Sequence, residues 1–514
     1  MIVGEQTQTD NTKRIAKNTL LLYMRMLFNV CISLVTSRLV LNILGVEDYG
    51  IYNVVGGVVM LFSFLNAAMA SSTQRFLTIE MGKGNHSYLR IVFSTSTLIH
   101  LIISLMILFF AETIGLWLFY HKLIIPSERL AVAMWVYQIS VLNCITLIMS
   151  VPYNASIIAH ERMDVFAYIS MLDITMRLVA VIMLSYLAYD KLISYSLLLF
   201  SISLFIRFIY VLYCRKHLPE TRLFFVWDRV LLKRMSSFAV WNLFGNMAYV
   251  GFTQGVNVLL NIFFGPTVNA ARAVAVQLQG TLNNFCNSFQ TAINPQIMKS
   301  YAAGNKEYMY NLIIGSSKYS FLLLLLMALP LMIETEQVLQ LWLYLVPEHT
   351  VTFLRIILLT TMVDVFANPL ITSAQATGHI RNYQIIVGGI LLLIVPVSYL
   401  VLKMGGDPQS VFVVHLCVVI LAQFVRLWMI RRLIGISLQI YFQRAIIPLL
   451  RVCLVVCWLP MVCYYVMDAG IIRLIIVVFT SCMSVLFWGY ILGLERNERE
   501  YIQNKVVQFK QRFV

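Results

Sequence analysis

The sequence predicts an all-α polytopic membrane protein of about fourteen transmembrane helices: two pseudo-symmetric six-helix lobes and a C-terminal helix pair. Three observations carry this reading. Of 514 residues, 60% are hydrophobic and 12% charged, about half the ~25% charge of a soluble domain. Apolar runs of about 20 residues, the length that crosses a bilayer as a helix, recur down the whole chain. The two halves also match each other at a nearly constant offset of about 219 residues. A helix satisfies its own backbone in lipid, whereas a membrane barrel would show short strands of period two, and none is visible. A water-soluble enzyme, a disordered chain and a coiled coil are excluded.

In order, the spans are Asn18–Ile43, Tyr49–Gln74, Ile91–Phe119, Leu130–Ser150, Val165–Leu187 and Ile193–Cys214. After a polar break come Ser236–Phe264, Val268–Ile297, Leu312–Ile333, Phe353–Thr377, Tyr383–Leu402 and Val411–Ile430, then the pair Ala445–Met467 and Ile471–Leu492. If the spans alternate, one side collects about 24 basic residues, from Lys13 to Arg512, and the other only Lys122, Arg129, Lys191, Lys403 and Arg473. This positive-inside bias puts both termini in the cytoplasm. It also accounts for most of the net charge of +15, so no nucleic-acid partner is needed. The apolar stretch behind Lys13, Arg14 and Lys17 is too long for the core of a cleaved signal and is expected to remain as the first span.

The internal repeat has three anchors. Leu41–Gly45 matches Leu260–Gly265, Gly84-Asn85 matches Gly304-Asn305, and His160-Glu161-Arg162 matches His379-Ile380-Arg381. A unit of six spans, an even number, gives the two halves the same orientation, a layout found in transporters whose substrate path lies between halves. The expected organisation is an N-terminal lobe over residues 1–214, a cytoplasmic linker over 215–235 and a C-terminal lobe over 236–430. Extra helices over 431–493 and a basic cytoplasmic tail over 494–514 follow.

Charge inside the spans is costly and points to function. The basic set is Arg25, Arg38, Arg177, Arg207, Arg272, Lys318, Arg355, Arg426 and Arg451, against the acids Glu112, Asp173 and Asp364. That surplus suits an anionic substrate, and arginine matches phosphate oxygens best. Arg207, Lys318, Arg426 and Arg451 are close enough to a cytoplasmic end to snorkel. Arg25, Arg38, Arg272 and Arg355 are the candidates for an anion-binding cavity. Asp173 and Arg177, spaced i,i+4, pair on one helix, either as a structural pair or as an ion-coupling site. Asp364 is the second coupling candidate. The seventh and eighth spans are rich in amides, among them Asn242, Asn246, Gln254, Asn257, Gln277 and Asn284. These either line a watery cavity that meets sugar hydroxyls or hydrogen-bond between helices. The nine cysteines lie in or at the end of apolar runs, without CxxC or metal-ligand spacing, and read as packing residues. No cofactor, metal or catalytic residue is expected.

Asn18-Thr19-Leu20, the turn Leu44-Gly45-Val46-Glu47-Asp48-Tyr49-Gly50-Ile51-Tyr52 and the step Ala159-His160-Glu161-Arg162 resemble polysaccharide (O-antigen or capsule, Wzx-type) flippases. These belong to the multidrug/oligosaccharidyl-lipid/polysaccharide (MOP) exporter superfamily. The resemblance covers the whole chain and implies a V-shaped, MATE-like transporter. It implies movement of undecaprenyl-pyrophosphate-linked oligosaccharide units from the cytoplasmic to the outer leaflet of a bacterial inner membrane, alongside other membrane proteins of polysaccharide assembly. The family's cationic lumen corresponds by helix position to Arg25 and Arg272. Where the family often has Gly-Arg after the fourth helix, this chain has His160-Glu161-Arg162. Two other readings stand beside this one. A multidrug cation antiporter of the same fold would prefer embedded acids, which are scarce here. A membrane-embedded glycan polymerase or glycosyltransferase would need a roomy outer loop with a reactive group, and none carries a motif.

Overall fold

The computed structural model describes residues 2–60, 64–121, 125–222, 228–343, 346–496, 498–500 and 503. Every regular element among them is helical. The helices are α1 (Ile2–Met60), α2 (Phe64–Gly82), α3 (His86–Phe110), α4 (Leu116–His121), α5 (Leu130–Ala159), α6 (Met163–Leu184), α7 (Lys191–His217) and α8 (Arg229–Phe264). Then follow α9 (Pro266–Ala302), α10 (Lys306–Ile333), α11 (Thr335–Trp342), α12 (Thr350–Asp364), α13 (Ala367–Thr377), α14 (Arg381–Leu392) and α15 (Ile394–Lys403). The last are α16 (Ser410–Ile434), α17 (Leu438–Tyr441), α18 (Ile447–Val456), α19 (Trp458–Val466) and α20 (Ile471–Trp488).

Among the described residues, twelve helical stretches are long and apolar enough to cross a membrane, and each falls on an expected span. Of the two other expected spans, Tyr49–Gln74 runs over residues 61–63, outside the described residues. Val268–Ile297 is helical as α9, 37 residues long, and its amides lower its hydropathy. The chain is a multi-pass membrane protein. Lys505, Lys510 and Arg512 of the expected basic tail lie outside the described residues.

The chain forms two compact units. Unit 1 is Met1–Asn246 with Met298–Gly304; unit 2 is Met247–Ile297 with Asn305–Val514. Within unit 1, α5 packs against α2, α3 and α7, and α1 against α6. Within unit 2, α16 packs against α12 to α15, and α20 against α10 and α19.

The repeat is visible in the backbone. Gly45 (φ 77°) and Gly265 (φ 79°) are both left-handed, as are Gly84 (φ 72°) and Gly304 (φ 75°). Left-handed backbone is cheap only for glycine. Asn85 and Asn305 then cap α3 and α10 identically, each side-chain oxygen accepting from a backbone N–H three residues on, at 3.2 Å. The cap satisfies an N–H that the first helical turn leaves without a partner.

Carboxylate–cation pairs clip the helix ends together. The Arg129 guanidinium grips Asp48 and also Asp190, the latter at 2.6 Å. Asp190 in turn caps α7 by accepting from the backbone N–H groups of Leu192 and Ile193. Burial raises the Asp190 pKa, but those amides and Arg129 outweigh it and hold the carboxyl below its ordinary value. Arg473 at the start of α20 holds the buried Glu334 through two bonds of 2.8 and 2.9 Å.

Two expectations of snorkelling are corrected. The Lys318 side chain is fully buried and paired with Glu498 at 2.6 Å, while Arg444 grips Glu495 through two bonds. Arg426 is likewise buried, donating to the Tyr383 hydroxyl at 2.8 Å and the Gln423 carbonyl at 2.6 Å. Both cations found polar partners on neighbouring elements, so neither needed to reach the water.

Three outcomes follow. A Cβ on Gly304 would meet nothing within 4 Å, so Gly304→Ala costs only its left-handed backbone, about 1–2 kcal/mol by thermal unfolding in detergent. Arg473→Ala strands a buried Glu334 and costs about 3–5 kcal/mol, whereas Arg496→Ala, on an exposed pair, changes stability by roughly 0–1 kcal/mol. Because the folded-state pKa of Asp190 is lowered, its contribution is complete above the ordinary carboxylate range and is lost as pH falls below it. Asp190→Asn therefore flattens part of the acid-side fall in thermal stability.

Candidate functional site

The polar helix α9 sets the site apart. Its exposed positions include Thr267, Ala273, Gln277, Gly280, Thr281, Asn284 and Asn287. From Ala273 onward these recur every three or four residues, so they form one stripe. None of its described large hydrophobic side chains is exposed, and its sequence carries no charge between Arg272 and Lys299. A stripe of amides, hydroxyls and small residues would leave polar groups unpaired against lipid tails, so this face of α9 suits water better than lipid. In unit 2, Gln254 of α8 is also exposed, and in unit 1 Asn246 of the same helix is exposed. Asn242 of α8 is buried.

The opposite side of α9 uses its amides between helices. Gln279 donates to the Thr361 hydroxyl at 3.0 Å. Gln290 donates to the Ser320 hydroxyl and the Val365 carbonyl, both at 3.1 Å. Asn294 donates to the Asn368 carbonyl at 3.4 Å. Of the two uses expected for amides, these bonds are the interhelical one.

Arg272 sits near the start of α9, partly buried. Its guanidinium donates to the Asn257 side-chain oxygen at 3.3 Å and to the Thr253 carbonyl at 2.9 Å. Both partners are neutral groups on α8, and its Nε has no hydrogen-bond partner. Sequence reasoning missed His415 of α16, which lies within electrostatic reach of Arg272 with its ring 5.2 Å from that of Phe252. A lone histidine in an apolar run gives no signal of such a neighbour.

In unit 1, the guanidinium of Arg25 lies 4.4 Å over the Phe166 ring, and its Nε is also without a hydrogen-bond partner. Tyr210 of α7 is close enough to interact electrostatically with both Arg25 and Asp173. Asp173 is held by Arg177 at 2.9 Å, which fixes the expected i,i+4 pair. Arg38 is exposed on the same helix as Arg25, about 20 Å farther along at 1.5 Å per residue. The structure therefore does not gather these two arginines at one point.

The remaining candidates in unit 2 are held by the fold. Arg355 donates to the Met332 carbonyl at 3.2 Å and the Thr335 hydroxyl at 3.3 Å, at the C-terminal end of α10, where a cation complements the helix dipole. Asp364 lies 3.9 Å from Arg426. Both embedded acids proposed for coupling thus have an arginine partner. Arg25, Arg38, Arg272 and Arg355 have no carboxylate partner among the described residues; the bonds of Arg272 and Arg355 go to neutral groups. The described residues hold no cluster of three or more His, Cys, Asp or Glu that could bind a metal ion.

Comparison with known proteins agrees with this architecture. The solved structures with similar folds include a multidrug resistance MATE family transporter of the MOP superfamily in its outward-facing conformation. The identity is 14%, covering 83% of this chain and 96% of that one, with a TM-score of 0.72. A MATE in the straight conformation matches with the same identity and coverage and a TM-score of 0.71. A MOP superfamily transporter from Pyrococcus furiosus, described as having a binding pocket of reverse polarity suggesting a different function, matches at 14% identity with the same coverage and a TM-score of 0.69. No curated protein matches in sequence. The expected MATE-like fold is therefore the one observed. The family model described as polysaccharide biosynthesis protein matches residues 15–301, more than half of the chain, and the chain belongs to that family.

Proposed function

We propose that this protein is a flippase for lipid-linked oligosaccharides, moving undecaprenyl-pyrophosphate-bound repeat units across a bacterial inner membrane by alternating access, with both termini cytoplasmic. The observation that carries the reading is the exposed stripe of α9, uncharged and polar from Ala273 to Asn287 and headed by Arg272. Amides and hydroxyls can trade hydrogen bonds with sugar hydroxyls as readily as with water. An arginine bound only to neutral groups can exchange them for phosphate oxygens, which form stronger, charge-assisted bonds. The lipid tail stays in the bilayer. Membership of a polysaccharide biosynthesis family supports the same substrate class. A cation antiporter reading loses support because Asp173 and Asp364 already have arginine partners.

Translocation of a fluorescent undecaprenyl-pyrophosphate oligosaccharide in proteoliposomes tests this. Wild type moves it between leaflets. Arg272→Ala slows translocation about 10- to 100-fold, the equivalent of one lost hydrogen bond to a charged group at about 1.5–3 kcal/mol. Gln277→Leu with Asn284→Leu slows translocation with little change in thermal stability, because both positions are exposed. Gln290→Leu lowers stability instead, because its amide is buried between helices. Proton-driven efflux of cationic dyes, with no movement of lipid-linked glycan, would overturn the proposal.

A further inference from the structure

Among the described residues, Glu161 is one of two non-glycine residues with a left-handed backbone, at φ 59°. It follows the end of α5, at the position where helices usually place glycine. After α13 in the second half, the left-handed residue is Gly378, at φ 79°. A side chain held in this strained conformation is a reason to look for a role.

The Glu161 carboxylate is almost completely buried and accepts from the Lys299 ammonium at 2.5 Å. Its backbone carbonyl accepts from the Asn18 amide of α1 at 3.2 Å. Lys299 lies in the last turn of α9. That turn, Met298–Gly304, belongs to unit 1, whereas α9 up to Ile297 belongs to unit 2. Gly82 at the end of α2 lets the same turn come close, since a Cβ there would stand 2.8 Å from the Lys299 carbonyl and 2.9 Å from the Ala302 Cβ. The second half has no equivalent, because at the repeat offset Glu161 becomes Ile380.

The bond differs in kind from the clips that hold helix ends together. Arg129, Arg444 and Arg473 each grip a carboxylate with two guanidinium nitrogens. A lysine ammonium is a compact charge on a flexible stem, and the Lys299 side chain is one-fifth exposed, so water can reach the ammonium as it leaves. A two-nitrogen fork suits a fixed joint, and a solvated lysine suits one that opens.

We propose that Glu161 and Lys299 form a releasable clasp that holds the last turn of α9 onto unit 1, and that its opening frees that turn while the rest of unit 1 stays folded. The strain at Glu161 is tolerated because only a residue there can carry the carboxylate. This goes beyond the flippase reading and does not depend on any substrate.

Hydrogen exchange on the full-length protein in lipid nanodiscs tests it, read by mass spectrometry on a peptide covering Met298–Gly304. In wild type this turn exchanges faster than the core of α5, by local opening. Glu161→Gln and Lys299→Gln each speed its exchange at least tenfold and leave α5 unchanged. Glu161→Gly, which relieves the backbone strain but removes the carboxylate, does the same without lowering thermal stability. The charge swap Glu161→Lys with Lys299→Glu restores slow exchange relative to either single variant. Wild-type rates in both single variants, no rescue by the swap, or exchange of this turn only together with α5 would each overturn the proposal.

Discussion

An ionised group inside an apolar chain must find a partner, and that requirement organises this structure. Desolvating a charge costs several kcal/mol unless a counter-charge or hydrogen bonds replace water. Asp48, Asp173, Glu161, Glu334, Asp364 and Glu498 all lie within 4.0 Å of a lysine or arginine nitrogen. Basic residues outnumber acids in the spans, so pairing Asp173 and Asp364 leaves several cations, Arg25 and Arg272 among them, without a carboxylate among the described residues. Both settle on neutral groups instead, an aromatic face for one and an amide and a carbonyl for the other. The same accounting gives the fold its clips.

The polar face of α9 follows from a second use of that constraint. Amides turned toward other helices are satisfied by Thr361, Ser320, Val365 and Asn368. Amides on the exposed stripe have only water or a ligand to meet. Under the proposed function a glycan would be held and released, and hydrogen bonds to neutral amides, each worth about 0.5–1.5 kcal/mol net, allow both. The pyrophosphate of the proposed substrate needs a stronger hold, of the kind arginine can supply.

Much of this was legible in the sequence. Apolar runs marked the spans, and the paired Gly-Asn steps at 84–85 and 304–305 marked turns that share both backbone conformation and capping. The spacing of Asp173 and Arg177 gave their bond, since helical neighbours are set by sequence distance. Contacts between distant helices were not legible. Lys318 reaches Glu498 across 180 residues and Lys299 reaches Glu161 across 138. Apolar periodicity says which residues lie within spans but not which spans are neighbours. The left-handed turn at Glu161 was hidden because no glycine announced it, and the bonds of Arg355 were hidden because the end of α10 beside it was unknown.

The central claim is that Arg25 and Arg272 hold charge available to an anion. The most direct measurement is equilibrium binding of a short polyprenyl pyrophosphate and of the matching uncharged polyprenol to the protein in nanodiscs, for wild type, Arg25→Gln and Arg272→Gln. The account requires wild type to prefer the pyrophosphate, each substitution to weaken that binding about tenfold, or about 1.4 kcal/mol, and binding of the polyprenol to stay unchanged. Equal affinity for the charged and uncharged lipids, undisturbed by either substitution, would contradict it.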